Sequence, residues 1–349
     1  MIAWGATPVR LPVAADAFVH AVDVNARGAV LAESTTGVGT APRQRSFVWR
    51  DGKVVRLRYG GAAWVDVRQI NDRGDVIGDA RGEGVLWRNG KPTPLGRFEP
   101  SALNDSDVVV GDGTVGGEIH GFVWERGVLT DIGSLGGSET HAWAVNARGQ
   151  VVGAATTAAG AEHAILWQDG VLTDLGTLPG LESTAIAIND AGLVVGRVSD
   201  HLGNDSEAVL WRDGTLVELG RFGAGGATTV GVDRGGDVLV EATTSSGDPL
   251  RAFVVHGGTT TALPLVGGGS VVATGLDDAG DVLGYVQSGS LGRRSFVWRK
   301  GRVTLLPTTD GRRPPWGGPS AIANGYAVGD EYVSLANGRA TSRAVLWRR

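Results

Sequence analysis

The sequence repeats itself about every 43 residues from end to end, and each copy has two recognisable halves. The first half is represented by residues 142–153, AWAVNARGQVVG, and the second by residues 163–176, HAILWQDGVLTDLG. A period of this length, built from short apolar runs separated by Gly-containing turns, indicates one supersecondary unit copied many times. No other feature of the chain restricts the possible folds as strongly.

Two marker positions define eight copies. The first marker is an Asn or Asp that opens a turn, and it falls at Asn25, Asn71, Asn104, Asn146, Asn189, Asp233, Asp277 and Asn324. The second is a Trp, replaced by Val in the sixth copy, at Trp49, Trp87, Trp124, Trp167, Trp211, Val255, Trp298 and Trp347. The second and third copies are compressed, so seven copies remain the alternative to eight.

Each copy contains four short runs rich in Val, Ile, Leu and Trp, which predict β-strands A to D. In the fourth copy these runs cover residues 141–145, 150–157, 163–167 and 171–175. The A–B turn carries Asn and Gly, and the C–D turn ends in Asp-Gly, as at residues 213–214; both patterns favour positive φ angles. Helical periodicity is absent. Four antiparallel strands in a repeat of this length predict a blade of a β-propeller.

The two ends of the chain predict how the propeller closes. The last copy stops at residues 345–349 without a D strand, whereas residues 7–12 have the pattern of a D strand. We therefore expect residues 7–12 to complete the eighth blade. All 349 residues are then expected to form a single all-β domain, an eight-bladed β-propeller with four strands in each blade. Closure of this kind leaves only short, protected sheet edges.

Composition excludes several classes of partner and cofactor. A net charge of −5 argues against nucleic acid, and the absence of Cys excludes disulfides and Cys-ligated zinc. No apolar run is long enough to cross a membrane, and no glycine motif of a nucleotide-binding site is present. Residues 1–17 lack the pattern of a secretory signal. We expect a monomeric cytoplasmic protein with a small-molecule ligand, or an extracellular one if an upstream signal has been removed.

The repeat resembles that of the bacterial HAF-repeat family, whose members are described as extracellular repeat proteins. The resemblance is carried by residues 120–124 (HGFVW), 163–167 (HAILW), 175–180 (LGTLPG) and 187–196 (AINDAGLVVG). It covers nearly the whole chain and is best from residue 120 to residue 220. The resemblance implies a structural repeat and no particular reaction. Because residues 1–17 do not have the pattern of an export signal, we expect this chain to depart from the family in that respect.

The two faces of the predicted propeller differ in sequence variability. The A–B and C–D turns are nearly identical from copy to copy, whereas the D–A and B–C loops differ in every copy. Specificity is therefore expected on the variable-loop face, with the central funnel as the pocket. Strand A starts beside this funnel, five residues before the Asn turn. Four neighbouring copies place polar residues there, which are His20, Asp66, Glu99 and His141.

These four residues are the predicted catalytic group. Two imidazoles and two carboxylates suit general acid–base catalysis. Alternatively, His20, His141 and Glu99 suit a divalent metal ion such as Mn, Fe or Zn, and a solvated rim without chemistry is the third alternative. Aromatic residues outside the repeat pattern are predicted to hold the substrate, although they could equally fill the channel as core: Phe18, Trp64, Phe98, Trp143 and Trp316. His120, His163 and the repeat Trp residues are expected to be structural.

Two functions follow from these observations. The first is an enzyme of the lyase, cyclase or isomerase type, which uses acid–base or metal-assisted chemistry in the funnel. The second is a non-catalytic scaffold whose variable face recognises a protein or a carbohydrate. The one cofactor considered is a divalent metal ion, and no nucleotide cofactor is expected.

Overall fold

The computed structural model describes residues 8–11, 18–37, 43–223, 225–242, 250–288, 292–309, 318–334 and 340–349. These residues form β-strands, turns and loops, and no α-helix occurs among them. The described part of the chain accordingly contains no apolar helix of membrane-spanning length.

The first sixteen strands alternate with short turns. In chain order they are β1 (Val9–Arg10), β2 (Phe18–Val24), β3 (Val30–Thr36), β4 (Arg43–Arg50), β5 (Lys53–Leu57), β6 (Asp66–Ile70), β7 (Val76–Ala80), β8 (Glu83–Arg88), β9 (Lys91–Gly96), β10 (Glu99–Leu103), β11 (Val109–Val115), β12 (Glu118–Glu125), β13 (Val128–Asp131), β14 (Gly136–Val145), β15 (Val151–Thr157) and β16 (Glu162–Gln168).

The second half of the chain continues the same alternation. Its strands are β17 (Val171–Asp174), β18 (Glu182–Ile188), β19 (Val194–Ser199), β20 (Glu207–Arg212), β21 (Thr215–Gly220), β22 (Ala227–Val232), β23 (Val238–Ala242), β24 (Arg251–His256), β25 (Thr259–Ala262), β26 (Ser270–Leu276), β27 (Val282–Ser288), β28 (Gly292–Arg299), β29 (Arg302–Leu305), β30 (Pro319–Ala323), β31 (Tyr326–Ser334) and β32 (Ala340–Arg348).

Within the described residues, consecutive strands form four-stranded sheets, called blades below. Blades 1 to 7 contain β2–β5, β6–β9, β10–β13, β14–β17, β18–β21, β22–β25 and β26–β29, and blade 8 contains β30, β31, β32 and β1. One parallel pair, Ile119 with Glu139, joins blades 3 and 4 into a continuous sheet. The prediction of four-stranded blades is confirmed. In blade 4 the four predicted runs correspond to β14–β17, and β14 begins earlier than predicted, at Gly136.

The N-terminal strand completes the last blade, as predicted. Val9 pairs with Leu346 in the antiparallel register of β1 and β32. The Leu11 N–H then donates a hydrogen bond of 3.2 Å to the Ala344 carbonyl oxygen. Leu11 is buried in an apolar cluster together with residues of blades 1 and 8. The two ends of the chain thus meet in one sheet, while the closed eight-bladed ring as a whole stays a prediction.

The chain divides into two compact units. Unit 1 consists of residues 1–81, 85–94 and 264–349 and carries blades 1, 2, 7 and 8, whereas unit 2 consists of residues 82–84 and 95–263 and carries blades 3 to 6. Apolar residues fill the space between successive blades inside each unit. Val30, Trp49 and Leu346 belong to one such cluster in unit 1, and Ala185 and Trp211 belong to one in unit 2. The prediction of a single domain over residues 1–349 stays a prediction.

The C–D turns have the predicted conformation. Both central residues of the turn in blade 5, Asp213 and Gly214, have positive φ angles, 51° and 75°. Asp169 and Gly170 repeat this geometry in blade 4, with φ angles of 50° and 85°. Two consecutive positive φ angles define the type I′ turn, whose twist matches that of the flanking strands. The sequence pattern Asp-Gly is therefore explained by the turn alone.

The A–B turn of blade 4 differs from expectation at its Asn, whereas Asn324 of blade 8 has the expected positive φ angle, 41°. In blade 4 the positive φ angle belongs to Gly149, at 77°, and Asn146 is not in that region. Asn146 Oδ1 instead accepts hydrogen bonds from the Arg148 and Gln150 N–H groups, both at 3.0 Å. Its Nδ2 donates to the Asn189 carbonyl oxygen in the next blade, at 2.9 Å. The repeated Asn therefore closes its own turn and links two blades.

Candidate functional site

Strand A is held close to strand B at three of the four predicted site residues, which are Asp66, Glu99 and His141. A Cβ atom added to Gly153 of β15 would lie 2.0 Å from the carbonyl oxygen of His141 in β14. Gly111 makes the same approach to Glu99, at 2.0 Å, and Gly78 approaches Asp66, at 1.9 Å. Only a residue without a side chain fits at these three positions. The recurring Gly that ends the Val-Val-Gly pattern therefore fixes the backbone from which the site side chains project.

His141 is oriented by a carboxylate of the preceding blade. Its Nδ1 lies 2.6 Å from Oδ2 of Asp112, which belongs to β11 in blade 3. The other oxygen of Asp112, Oδ1, accepts the Ala142 N–H at 2.8 Å. Because a carboxylate accepts, the proton of the neutral ring is assigned to Nδ1. Nε2 is then the nitrogen left to exchange a proton with a ligand.

The surroundings of His141 favour its protonated form. The hydrogen bond with Asp112 raises the pKa of His141 above its ordinary value of 6.5, and partial burial opposes this effect. The negative charges of Asp112, Glu139 and Glu162 raise the pKa further, and Glu139 Oε2 lies 4.0 Å from His141 Nε2. The ring of Trp143 stacks on the imidazole, with the centroids 5.4 Å apart. A β-bulge at Trp143 re-aims its side chain.

His20 repeats this arrangement in unit 1. Its Nδ1 lies 2.5 Å from Oδ2 of Asp330 in β31, and Asp330 Oδ1 accepts the Ala21 N–H at 2.9 Å. The hydrogen bond with Asp330 likewise raises the pKa of His20. The His20 side chain is 59% exposed, compared with 21% for His141. His141 is thus the more sheltered of two equivalent imidazoles.

Asp66 and Glu99 each lie near a carboxylate of strand B. In unit 1, burial raises the pKa of Glu33. The charge of Asp66 also raises this pKa, and that of His20 lowers it. In unit 2, Glu99 is the cross-strand partner of Asp112. An acid of strand B therefore lies near both predicted residues of each unit: Glu33 near His20 and Asp66, and Asp112 near Glu99 and His141.

Three site residues were not predicted from the sequence, namely Asp112, Asp330 and Glu33. Asp112 and Asp330 directly follow the Gly that ends the apolar run of strand B, a place where Ala154 and Arg197 stand in blades 4 and 5. An acid at this place was the available signal. Among the described residues, no three His, Asp or Glu side chains are arranged to hold a metal ion. Metal binding by His20, His141 and Glu99 stays a prediction.

The predicted aromatic residues have different environments. Trp143 stacks on His141, while Trp64 and Phe18 are exposed, by 59% and 42%. Phe98 is buried and packs against Phe122, with the centroids 6.3 Å apart. This burial agrees with the alternative that Phe98 is core, and its contact with a ligand stays a prediction. Trp316 lies outside the described residues.

The repeat His residues pair inside their own blades. His120 Nδ1 lies 2.6 Å from Asp131 Oδ2 in blade 3, and His163 Nδ1 lies 2.9 Å from Asp174 Oδ2 in blade 4. Asp174 also accepts the Gly176 N–H at 2.7 Å, which fixes the start of the D–A loop. These contacts agree with a structural role. The repeat Trp residues are buried or half-buried, as expected for packing between blades.

Two cavities lie where a D–A loop covers the start of strand C. In blade 4 a cavity of about 600 Å³ is lined by residues 176–182 together with Ala161, His163 and His201. In blade 1 a cavity of about 560 Å³ lies at the equivalent place and includes Trp64. Both volumes are within the range of small-molecule sites. The repeat thus places similar cavities in different blades and lines them with different side chains.

Comparison with solved structures shows the fold and leaves the chemistry open. The WD40 domain of SCAP from fission yeast is 10% identical, with a TM-score of 0.55 and coverage of 98% of both chains. The Porphyromonas gingivalis dipeptidyl peptidase 4 is 10% identical, with a TM-score of 0.56, and an acylaminoacyl peptidase is 11% identical, with a TM-score of 0.53. The alignments cover 86% and 93% of this chain but only 55% and 57% of the peptidases.

No protein-family model matches the sequence, and no curated protein matches it significantly. At these low identities the structural matches carry information on architecture alone. Together with the sheet order, they show that the chain is an all-β protein with the four-stranded blades of a β-propeller.

Proposed function

We propose that the chain binds a small organic molecule on its variable-loop face and transfers a proton within it, with His141 as the acid–base group. The observation that carries this proposal is the Asp112–His141 pair, with Trp143 stacked on the imidazole. A carboxylate that fixes Nδ1 leaves Nε2 free for a ligand and stabilises the imidazolium ion. The aromatic ring beside it offers a flat apolar surface for the ligand.

The proton balance is that of an isomerase or a lyase. His141 Nε2 removes a proton from a carbon beside an electron-withdrawing group of the ligand. The same nitrogen then returns the proton to another carbon, or to a leaving group. The raised pKa of His141 stabilises the imidazolium ion that forms in the first half-reaction and returns the proton in the second. A single imidazole can therefore serve both half-reactions.

Deuterium exchange tests this proposal without a known substrate. The protein is incubated in D₂O with a panel of small carbonyl compounds, and deuterium uptake into their C–H bonds is followed by NMR. We expect catalysed uptake for at least one compound and a loss of about 100-fold or more in His141→Gln. His163→Gln is the matched control, because His163 also pairs with an Asp but belongs to the repeat pattern. Equal exchange by wild type and His141→Gln would contradict the proposal.

A non-catalytic scaffold is the second candidate function. The observation that favours it is the repetition of one geometry, since Asp330 holds His20 and the Ala21 N–H just as Asp112 holds His141 and the Ala142 N–H. A repeated pair suits a device that links successive blades, and the resemblance to HAF-repeat proteins supports a recognition role. Ligands that bind by thermal shift without deuterium exchange, equally in wild type and His141→Gln, would favour this candidate.

A further inference from the structure

The cavity of blade 1 carries an unusual concentration of positive charge. Four arginines are among the residues that line it, together with Tyr59, Trp64 and the loop between them: Arg43, Arg45, Arg56 and Arg58. All four arginines and Trp64 are exposed. The whole chain has a net charge of −5, so this group contrasts with the rest of the molecule.

Blades 3 and 4 pair the equivalent strand-C residue with an acid of strand D. In blade 4, His163 stands two residues before Ile165, which pairs with Asp174, and His163 and Asp174 are in contact at 2.9 Å. Blade 3 has the same register and contact, between His120 and Asp131 at 2.6 Å.

In blade 5 an acid, Glu207, stands at the strand-C place, and Glu218 at the strand-D place is also an acid. Glu207 there accepts a hydrogen bond from Arg221, three residues further along the chain, at 2.7 Å. In blades 3 to 5 the charged strand-C residue therefore has a partner of opposite charge, whichever sign strand C carries.

Blade 1 differs from blades 3 to 5. Arg45 stands two residues before Phe47, and Phe47 pairs with Arg56, so two arginines occupy the places of His163 and Asp174. Residues placed diagonally across two strands are within reach of each other when their side chains are long. Within the described part of the chain, neither Arg45 nor Arg56 has an ion-pair partner. The nearest acid in sequence register, Glu33, already accepts hydrogen bonds from Gln44 and Ser46.

Blade 8 also places two arginines at this point, Arg10 and Arg343, but there an acid lies directly opposite one of them. Glu331 is the direct cross-strand partner of Arg343. In blade 1 the cross-strand partner of Arg45 is Ser34, which is neutral. The uncompensated pair therefore coincides with the cavity of blade 1.

We propose that this cavity binds a small organic anion, whose carboxylate or phosphate group is held by Arg45 and Arg56 and whose ring lies on Trp64. Guanidinium groups match the planar geometry of such anions and form strong charge-assisted hydrogen bonds with them. A bound anion also neutralises the two like charges. The site belongs to unit 1 and shares no residue with the group of Asp112, His141 and Trp143, called the His141 group below. It is therefore independent of the proposed function.

Calorimetric titration with three probes tests the site. Phenyl phosphate, benzoate and phenol separate the contributions of phosphate, carboxylate and ring. We expect the two anions to bind and phenol not to bind. Arg45→Gln and Arg56→Gln are each expected to weaken the binding of the anions about tenfold, since a hydrogen bond to a charged group is lost. Arg251→Gln is the matched control, because Arg251 occupies the equivalent strand-C place in blade 6, and it is expected to bind as wild type does.

Two further variants separate the ring from the charge. Trp64→Ala is expected to weaken phenyl phosphate binding and to leave the affinity for inorganic phosphate unchanged. Arg56→Asp restores the charge pattern of blade 4, so it is expected to abolish anion binding and to raise the melting temperature without ligand. Absence of binding by wild type, or unchanged binding in both glutamine variants, would overturn the proposal. Binding of a single-stranded oligonucleotide in place of phenyl phosphate would also overturn it.

Discussion

Asp23 is a partly buried carboxyl group that links two blades of unit 1. Its Oδ1 accepts the Val24 N–H at 2.8 Å, and its Oδ2 accepts the Ile70 N–H of blade 2 at 2.9 Å. Burial raises the pKa of Asp23 to about 6, although these two hydrogen bonds lower it. In the unfolded chain its pKa is near 3.8. The folded state therefore binds a proton more tightly, and the contribution of Asp23 to stability falls as pH rises from about 4 to about 6.

The raised pKa of Asp23 predicts a pH-dependent difference between wild type and Asp23→Asn. As pH rises from 4 to 7, wild type should lose about 2 kcal/mol of unfolding free energy relative to the variant, somewhat less than the full shift gives because the side chain is partly exposed. Urea unfolding at four pH values measures it. Asp51→Asn is the control, since Asp51 is 71% exposed. A difference that does not change with pH would show that burial leaves the pKa of Asp23 at its ordinary value.

The Asp112–His141 pair gives a second prediction. Because the hydrogen bond with Asp112 is the largest cause of the raised pKa of His141, Asp112→Asn should lower that pKa, as NMR titration of the ring would show. A raised His pKa stabilises the fold at pH values below 6.5, and this stabilisation is lost as pH rises through the folded pKa. The variant should therefore lose more stability at pH 6 than at pH 9. An unchanged ring pKa would contradict the orienting role of Asp112.

For single residues, the sequence predicts which side chains depart from the repeat, but it does not predict which residues they form hydrogen bonds with. His141 is recognisable because its copy-to-copy equivalents are often neutral. Asp112 stands out as an acid where Ala154 and Arg197 stand in blades 4 and 5, but its contact with His141 could not be predicted, because that contact depends on how blade 3 lies against blade 4. Phe98 stands one residue from the place of Trp64, and its ring is buried whereas that of Trp64 is exposed. A shift of one residue reverses the direction of a side chain in an extended chain.

The A–B turn connects neighbouring blades through its Asn. In unit 2, the side-chain amide of Asn104 donates to the Asn146 carbonyl oxygen, Asn146 donates to that of Asn189, and Asn189 donates to that of Asp233. In unit 1, Asn25 donates to Asn71. This ladder explains why Asn recurs where the backbone needs no positive φ angle.

Asn146→Asp should weaken this ladder. The carboxylate keeps the two acceptor contacts within its turn but cannot donate to Asn189 or to Gln150 Oε1, which accepts from Asn146 at 2.8 Å. Two buried acceptors then lose their donor, so we expect a loss of about 2–4 kcal/mol in unfolding free energy at neutral pH, measured by urea titration. Asp169→Asn, in the exposed C–D turn, is expected to change stability by less than about 0.5 kcal/mol. Equal stability of both variants would show that the ladder does not stabilise the fold.

For strands and turns, local conformation could be predicted from the sequence, whereas contacts between blades could not. Type I′ turns follow from Asp-Gly alone, because the required φ angles are local. The link from Asn to the next blade could not be predicted, since it involves residues about 43 positions apart. The early start of β14 belongs to the same class, because Glu139 pairs with Ile119 of blade 3.

At the scale of the whole molecule, periodicity predicts the architecture because each copy must bury its apolar faces against neighbouring copies. The same reasoning predicted that the N-terminal strand completes blade 8, since both chain ends contain incomplete copies. Periodicity cannot predict a ligand, because chemistry resides where the copies differ. The His141 group and the arginines of blade 1 are such differences, and each is recognisable only against the pattern of the other blades.

The pairing of β1 with β32 in blade 8 leads to the last prediction, which concerns Leu11. Its side chain is buried between blades 1 and 8, and its N–H donates to Ala344. Leu11→Ala should cost about 2–4 kcal/mol, because a buried side chain is lost. Leu11→Pro should cost more, because it also removes the backbone donor, and it should release the edge of β32 for self-association. Urea unfolding and light scattering measure the two effects. Variants of equal stability that both stay monomeric would mean that β1 contributes side-chain packing alone and does not protect the sheet edge.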